Sequence, residues 1–140
     1  MTPAGSSQQS SYHPSARSIG RIASVTGSKA IVLLDTIPEN DPRAKTDRPE
    51  MGMLLAIDTT HAIVLATVGA LSVPVPAQGA ENEIRIAELG LVGELTKDAE
   101  VGALVFNRGT TTYPALGDRV RLATKYELQL TYSGDGAETV

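Results

Sequence analysis

The run Glu83-Ile-Arg-Ile-Ala-Glu-Leu-Gly-Leu-Val-Gly-Glu-Leu95 decides the fold of this chain. Its apolar residues keep the two-residue rhythm of a strand and then change phase. Ile84 and Ile86 fall on even numbers, while Leu89, Leu91 and Leu95 fall on odd ones. Successive strand side chains point to opposite faces, so a slip of one residue exchanges the faces. A long strand over Glu83 to Lys97 with a bulge near Ala87 to Gly90 is therefore predicted. Bulges and glycine kinks of this kind bend strands around the corners of barrels.

Working outward, Ile19 to Val25 and Lys29 to Asp35 read as two strands joined by a tight connection, Thr26-Gly27-Ser28. Met51 to Asp58 and His61 to Val73 form a second hairpin around Thr59-Thr60, and Asp118 to Leu122 is a last short strand. Asp98 to Thr112 reads as a loop with an apolar insert, Ala103-Leu-Val-Phe106. A short helix is predicted over Thr124 to Leu130, with Thr124 as its N-cap and Glu127 three residues on. Six strands and no long helix favour an all-β, small closed six-stranded β-barrel, because closure removes exposed sheet edges. The stretch Ala62-Ile-Val-Leu-Ala-Thr-Val68 is apolar on both faces. Its outer face must therefore be covered, by the chain's own loop or by another subunit.

The domain organisation read from this pattern is a disordered lead-in over 1–18, a barrel over 19–132, and a flexible tail or linker over 133–140. Thr36 to Pro49, with Pro38, Pro42 and Pro49, reads as a mobile surface loop, and Ala77 to Asn82 as a shorter one.

Composition narrows the function. With no Cys, a disulfide framework and a thiolate metal site are both excluded. The net charge of −4 lacks the basic excess that a free-standing nucleic-acid-binding domain usually carries. Phe106 is the only Phe and there is no Trp, which argues against a platform for stacking single-stranded bases. The first residues lack a basic start followed by an apolar stretch, and the longest apolar run, Ala62 to Leu71, is about half a membrane span. A cytoplasmic location is expected.

Several motifs resemble chemistry and resolve into local structure. Gly20 to Lys29 suggests a phosphate loop, but Ser28 separates Gly27 from Lys29 and a strand follows where a helix is required. His61 sits after a turn without a second His or a Cys nearby, so a metal site, which takes three or four ligands, is not expected. Glu88 and Glu94 could pair as acid and base, yet six strand residues span about 20 Å. They read as solvated carboxylates. No catalytic, cofactor-binding or metal-ligating residue is assigned. Arg108-Gly109 and Asp118-Arg119 place charge beside backbone-bending glycines, which turn chemistry explains and which a neighbouring domain could also contact.

Ile19-Gly-Arg-Ile-Ala-Ser-Val-Thr-Gly-Ser-Lys-Ala30, Ile84-Arg-Ile-Ala-Glu-Leu-Gly-Leu-Val-Gly-Glu94 and Thr111-Thr-Tyr-Pro-Ala-Leu-Gly-Asp118 together resemble the HAS-barrel, the N-terminal barrel of HerA-like ATPases in the FtsK–HerA superfamily. That barrel is similar to the N-terminal domain of the ATP synthase α and β subunits. The likeness spans about Ile19 to Tyr132, and Tyr113-Pro-Ala-Leu-Gly-Asp118 is its most specific part.

The resemblance implies an assembly and docking barrel at one face of a hexameric, ATP-dependent double-stranded DNA translocase or helicase. Implied partners are its own ATPase domain, neighbouring subunits of the ring, and a nuclease or Sir2-like effector. Double-stranded DNA would be reached only through the assembled ring. ATP and Mg would belong to a downstream motor domain, whose nucleotide-binding motifs do not occur in these 140 residues. The interface candidates are Ile63, Leu65, Arg108, Gly109, Tyr113, Pro114, Gly117 and Asp118. A stand-alone interaction module that has lost its motor is the alternative, and an oligonucleotide-binding barrel a third reading that charge and aromatic poverty disfavour.

Overall fold

The computed structural model describes residues 17–37, 40–42, 46, 48–73, 84–100 and 102–139, with side chains as far as Ser133. Most of the expected lead-in, parts of the Thr36–Pro49 loop and the whole Ala77–Asn82 loop lie outside the described residues. The elements are β1 (Ser18–Thr26), β2 (Lys29–Leu34), β3 (Leu54–Asp58), β4 (Ile63–Ser72), β5 (Ile86–Lys97), β6 (Leu104–Arg108), β7 (Arg119–Leu122) and α1 (Lys125–Thr139).

The strands are ordered β2-β1-β7-β3-β4-β5-β6, and a further β2–β5 pairing closes the ring. Six strands form a closed antiparallel barrel with a C-terminal helix, as the alternation pattern predicted. β6 is an additional strand hung on the far half of β5, with Leu95 opposite Phe106. Its segment reads as a loop insert in the sequence because five residues carry too little alternation to stand out.

The phase change in β5 is real, but it lies further along than predicted. On the β4–β5 ladder Leu65 faces Gly93 and Ala66 faces Leu91, so Val92 is the extra residue. The opposing strand has its own irregularity at Gly69, between the Val68–Leu89 and Ala70–Glu88 pairs. Before Val92, the odd-numbered Ala87 and Leu89 point into the barrel, and Ile84 is exposed. After it, Leu95 points outward into a different cluster. The sequence pattern had grouped Leu89, Leu91 and Leu95 on one face, whereas the bulge divides them.

Two cores result. The barrel interior holds Ile22, Val32, Leu55, Ile57, Val64, Val68, Leu89 and Val120. The second lies outside the barrel wall, where Leu54, Ala56, Leu65, Leu95 and Phe106 pack with Leu128 and Leu130 of α1. The two-sided apolar character of β4 thus has an internal explanation. Val64, Ala66 and Val68 face the interior, and Leu65 is covered by β6 and α1 of the same chain. Gly93 is required at this junction. A Cβ there would lie 2.5 Å from the Asn107 carbonyl oxygen and 2.6 Å from the Phe106 ring.

Helix α1 starts as predicted and runs further. Thr124 Oγ1 accepts the Glu127 N–H at 3.1 Å, and Glu127 Oε1 accepts the Thr124 N–H at 2.8 Å, a reciprocal capping box. The backbone then stays helical to Thr139, through residues whose two glycines, Gly134 and Gly136, had suggested a flexible tail. Thr131 is buried, and its hydroxyl donates to the Glu127 carbonyl at 2.8 Å, which bonds the second turn back to the first.

The same Glu127 ties the helix to the barrel. Arg121 of β7 has no exposed surface. Its Nη1 and Nη2 donate to the two carboxylate oxygens of Glu127 at 2.8 and 2.7 Å. Its Nε and Nη2 donate to the two oxygens of Asp58 at 3.0 and 2.9 Å, and Nη1 also reaches the Leu122 carbonyl at 3.3 Å. All five guanidinium N–H groups are used. Arg119, two residues earlier on the same strand face, adds a second guanidinium to Asp58 at 2.9 Å. Among the described residues every buried side-chain nitrogen and oxygen has a partner.

Burial of Asp58 pushes its carboxyl pKa up, but the hydrogen bonds and charges of Arg121 and Arg119 outweigh this and hold it below the usual range. A depressed folded-state pKa contributes stability that is present above the unfolded value, about 3.9, and is lost as pH falls through the folded value. Urea unfolding of the wild type should therefore lose stability as pH drops below about 4. Asp58→Asn should be less stable at pH 7 and show a shallower loss over that acid window; an identical slope would show that Asp58 does not carry the linkage.

Candidate functional site

The segment 109–118 joins β6 to β7, and its shape is set by two carboxylates. Glu94 on β5 is buried, contrary to the solvated strand-face position read from the sequence. Its Oε1 accepts the backbone N–H groups of Thr111 and Thr112 at 2.9 and 3.0 Å, and its Oε2 accepts the Thr111 hydroxyl at 2.9 Å. A buried carboxylate needs such donors to offset its lost hydration. Here they come from the loop that Glu94 holds down. Glu88, the other member of the considered pair, is exposed and lies 3.7 Å from the Lys29 ammonium. The two carboxylates have separate structural roles.

The far end of the loop is held by Asp118, whose Oδ2 accepts the Ala115 N–H at 2.8 Å. The Gly117 N–H donates to the Ile22 carbonyl at 2.8 Å, and the Ile22 N–H donates to the Asp118 carbonyl at 2.9 Å. Arg21 adds a bond from Nη1 to the Gly117 carbonyl at 3.2 Å. Gly109 and Gly117 sit at φ 82° and 88°, a region that disfavours residues with a Cβ. The Gly109 N–H donates to the Val92 carbonyl at 2.9 Å, which anchors the loop on the bulge.

Between these anchors Pro114 is buried, while Tyr113 is 56% and Leu116 71% exposed. The loop holds two large apolar side chains in solvent on a backbone that is tied at both ends. Of the sequence-derived candidates, Gly109, Tyr113, Pro114, Gly117 and Asp118 lie along this loop, and Arg108 ends β6 just before it. Ile63 lies opposite Leu95, one residue from Glu94, and is half-buried against the outer core. Leu65 is fully buried inside that core.

Three features escaped the sequence reading. Leu116, the most exposed large apolar side chain of the loop, is hidden in the motif as an ordinary turn residue. The Glu94 clamp requires knowing that residues seventeen and eighteen positions later fold back on β5. The Arg121 network had a weak signal: a charged residue alternating into a short apolar strand, Arg119-Val-Arg-Leu122, followed six residues later by an acid.

Gly27 adopts φ 59° at the β1–β2 turn, so the phosphate-loop-like segment is a hairpin. Among the described residues no group of three or more His, Cys, Asp or Glu is placed to hold a metal ion. No helix among them is long and apolar enough to cross a membrane.

The fold and the loop define a small closed β-barrel whose β6–β7 loop is hydrogen-bonded at both ends and exposes Tyr113 and Leu116. No protein-family model matches the chain, and no curated protein matches it significantly. The likeness to the HAS-barrel therefore rests on the three quoted segments.

Hydrogen bonds to a charged group contribute about 1.5–3 kcal/mol. Glu94→Gln keeps one acceptor and turns the other oxygen into a donor facing donors. This variant should be destabilised by about that amount, with amide exchange at Thr111 and Thr112 accelerated well beyond exchange in β1. Unchanged protection at these two amides would show that Glu94 does not hold the loop.

Proposed function

We propose that the chain is an assembly and partner-docking barrel of a HerA-like, ring-forming, ATP-dependent DNA translocase, acting through protein contacts at the Tyr113–Asp118 loop. One observation supports this most strongly. Tyr113 and Leu116 project from a backbone that Glu94 and Asp118 have already ordered. Binding through a pre-ordered loop avoids most of the entropy that a mobile one would lose. Aromatic side chains near the centre of a contact tend to dominate its energy. The loop also belongs to the segment with the most specific resemblance to the family.

A role in a ring does not require tight pairing of isolated barrels. Removing about 100 Å² of apolar surface from water is worth about 2.5 kcal/mol in gross terms, from which association costs subtract. Such a contact is weak alone and becomes effective when repeated around a closed ring. In this reading ATP and Mg act in the motor domain, and this barrel supplies subunit contacts and a platform for a nuclease or Sir2-like effector.

Light scattering tests the proposal on the 140-residue chain alone and fused ahead of a HerA-type motor domain. The chain alone should be monomeric and the fusion hexameric, and Leu116→Glu with Tyr113→Glu should shift the fusion to lower mass. A stable oligomer from the chain alone would favour an independent interaction module instead. A fusion that never assembles, or one indifferent to both substitutions, would overturn the proposal.

A further inference from the structure

The two halves of the 109–118 loop are held by different parts of the molecule. The first half is anchored on β5. The Gly109 N–H donates to the Val92 carbonyl, and the Thr111 and Thr112 N–H groups donate to Glu94. The second half is anchored on β1 and on itself. The Gly117 N–H donates to the Ile22 carbonyl, the Ile22 N–H to the Asp118 carbonyl, and the Ala115 N–H to the Asp118 carboxylate.

The β5 anchors belong to the ground that α1 covers. Val92 packs its side chain against the outer core while its carbonyl holds Gly109. Leu95, the neighbour of Glu94, is buried in that core, and Phe106 lies opposite Leu95 on β6. Leu128 and Leu130 of α1 pack on the same cluster. Ile22 belongs instead to the barrel interior.

We propose that α1 and the first half of the loop form one conformational switch. With α1 docked, the backbone from Gly109 to Tyr113 is ordered; with α1 released, that half is freed, while Gly117 and Asp118 stay on β1. The helix supplies the two discrete states that such coupling requires. Its paired hydrogen bonds from Arg121 to Glu127 form and break together. Among the described residues β6 pairs with β5 alone, so its order leans on packing beneath α1. Release of α1 uncovers Leu95 and Phe106, and the β5–β6 end loosens with the Val92 and Glu94 anchors on it. The switch deepens the docking reading and rests on it only for its consequence: Tyr113 lies in the half that is freed, so α1 would set the strength of the contact.

Native-state amide hydrogen exchange of the 140-residue chain in graded urea tests the switch without a partner. Segments that open as one unit share one opening free energy. The Gly109, Thr111 and Thr112 amides should converge with Leu128 and Leu130 on a single curve below global unfolding, and the Gly117 and Ile22 amides should stay off it. Coupling is reciprocal, so Glu94→Gln, which touches only the loop, should accelerate exchange at Leu128 and Leu130 by about tenfold. Leu128→Ala should likewise accelerate Thr111 and Thr112. Separate curves for helix and loop, or helix exchange indifferent to Glu94→Gln, overturn the switch even if the loop proves to be the docking surface. A shared curve beside a motor fusion indifferent to Tyr113 and Leu116 overturns the docking reading and leaves the switch standing.

Discussion

A guanidinium with no exposed surface holds the C-terminal helix to the barrel. Arg121 lies on the shortest strand of the barrel and spends all five of its donors internally, on Asp58 across the β3–β7 ladder, on Glu127 in the first turn of α1, and on the Leu122 carbonyl. An uncompensated charge at such a depth would cost several kcal/mol. The three groups therefore form as a set or not at all. Glu127 also closes the capping box with Thr124, so the helix begins where the ion network places it.

The second core follows from that placement. Leu65, Leu54 and Leu95 point away from the barrel interior, and without α1 and β6 they would form an apolar patch on the barrel wall. Arg121 sets the direction of α1, Leu128 and Leu130 cover the patch, and Phe106 closes it from the β6 side against the Cβ-free surface of Gly93. On the same β5 half, Glu94 draws the β6–β7 loop down by its three accepted hydrogen bonds. The exposed pair Tyr113 and Leu116 is thus positioned by β5, whose bulge at Val92 reverses the strand's faces and creates the outer core.

The barrel was legible in the sequence because its signal is local and repeated. Alternation, turn glycines and the capping box each declare themselves within a few residues, and six of the seven strands fall where the pattern puts them. What was not legible depends on contacts across long sequence separations. The bulge was displaced to Val92 because a run such as Leu89-Gly-Leu-Val-Gly fits several registers, and only the partner strand selects one. β6 was missed because Phe106 gains its meaning from Gly93. The covering of Leu65 could be anticipated, but whether the chain or a partner supplied it could not. Glu94 looked like a surface carboxylate because its donors lie on a loop that returns from far along the chain. Most of the candidate loop was named from its glycines and Pro114; its most exposed large apolar residue, Leu116, was not.

The central claim is that Arg121 docks α1 and thereby completes the outer core. Site-resolved amide hydrogen exchange on Arg121→Met tests it most directly, with urea unfolding of the same variant as a reference. Removing one partner of a buried ion set costs about 3–5 kcal/mol. Protection should fall first and furthest at Leu128 and Leu130 in α1, and much less at Val64 and Ala66 on the closed barrel ladder. Unchanged protection in the helix, or an equal loss in both places, would contradict the claim.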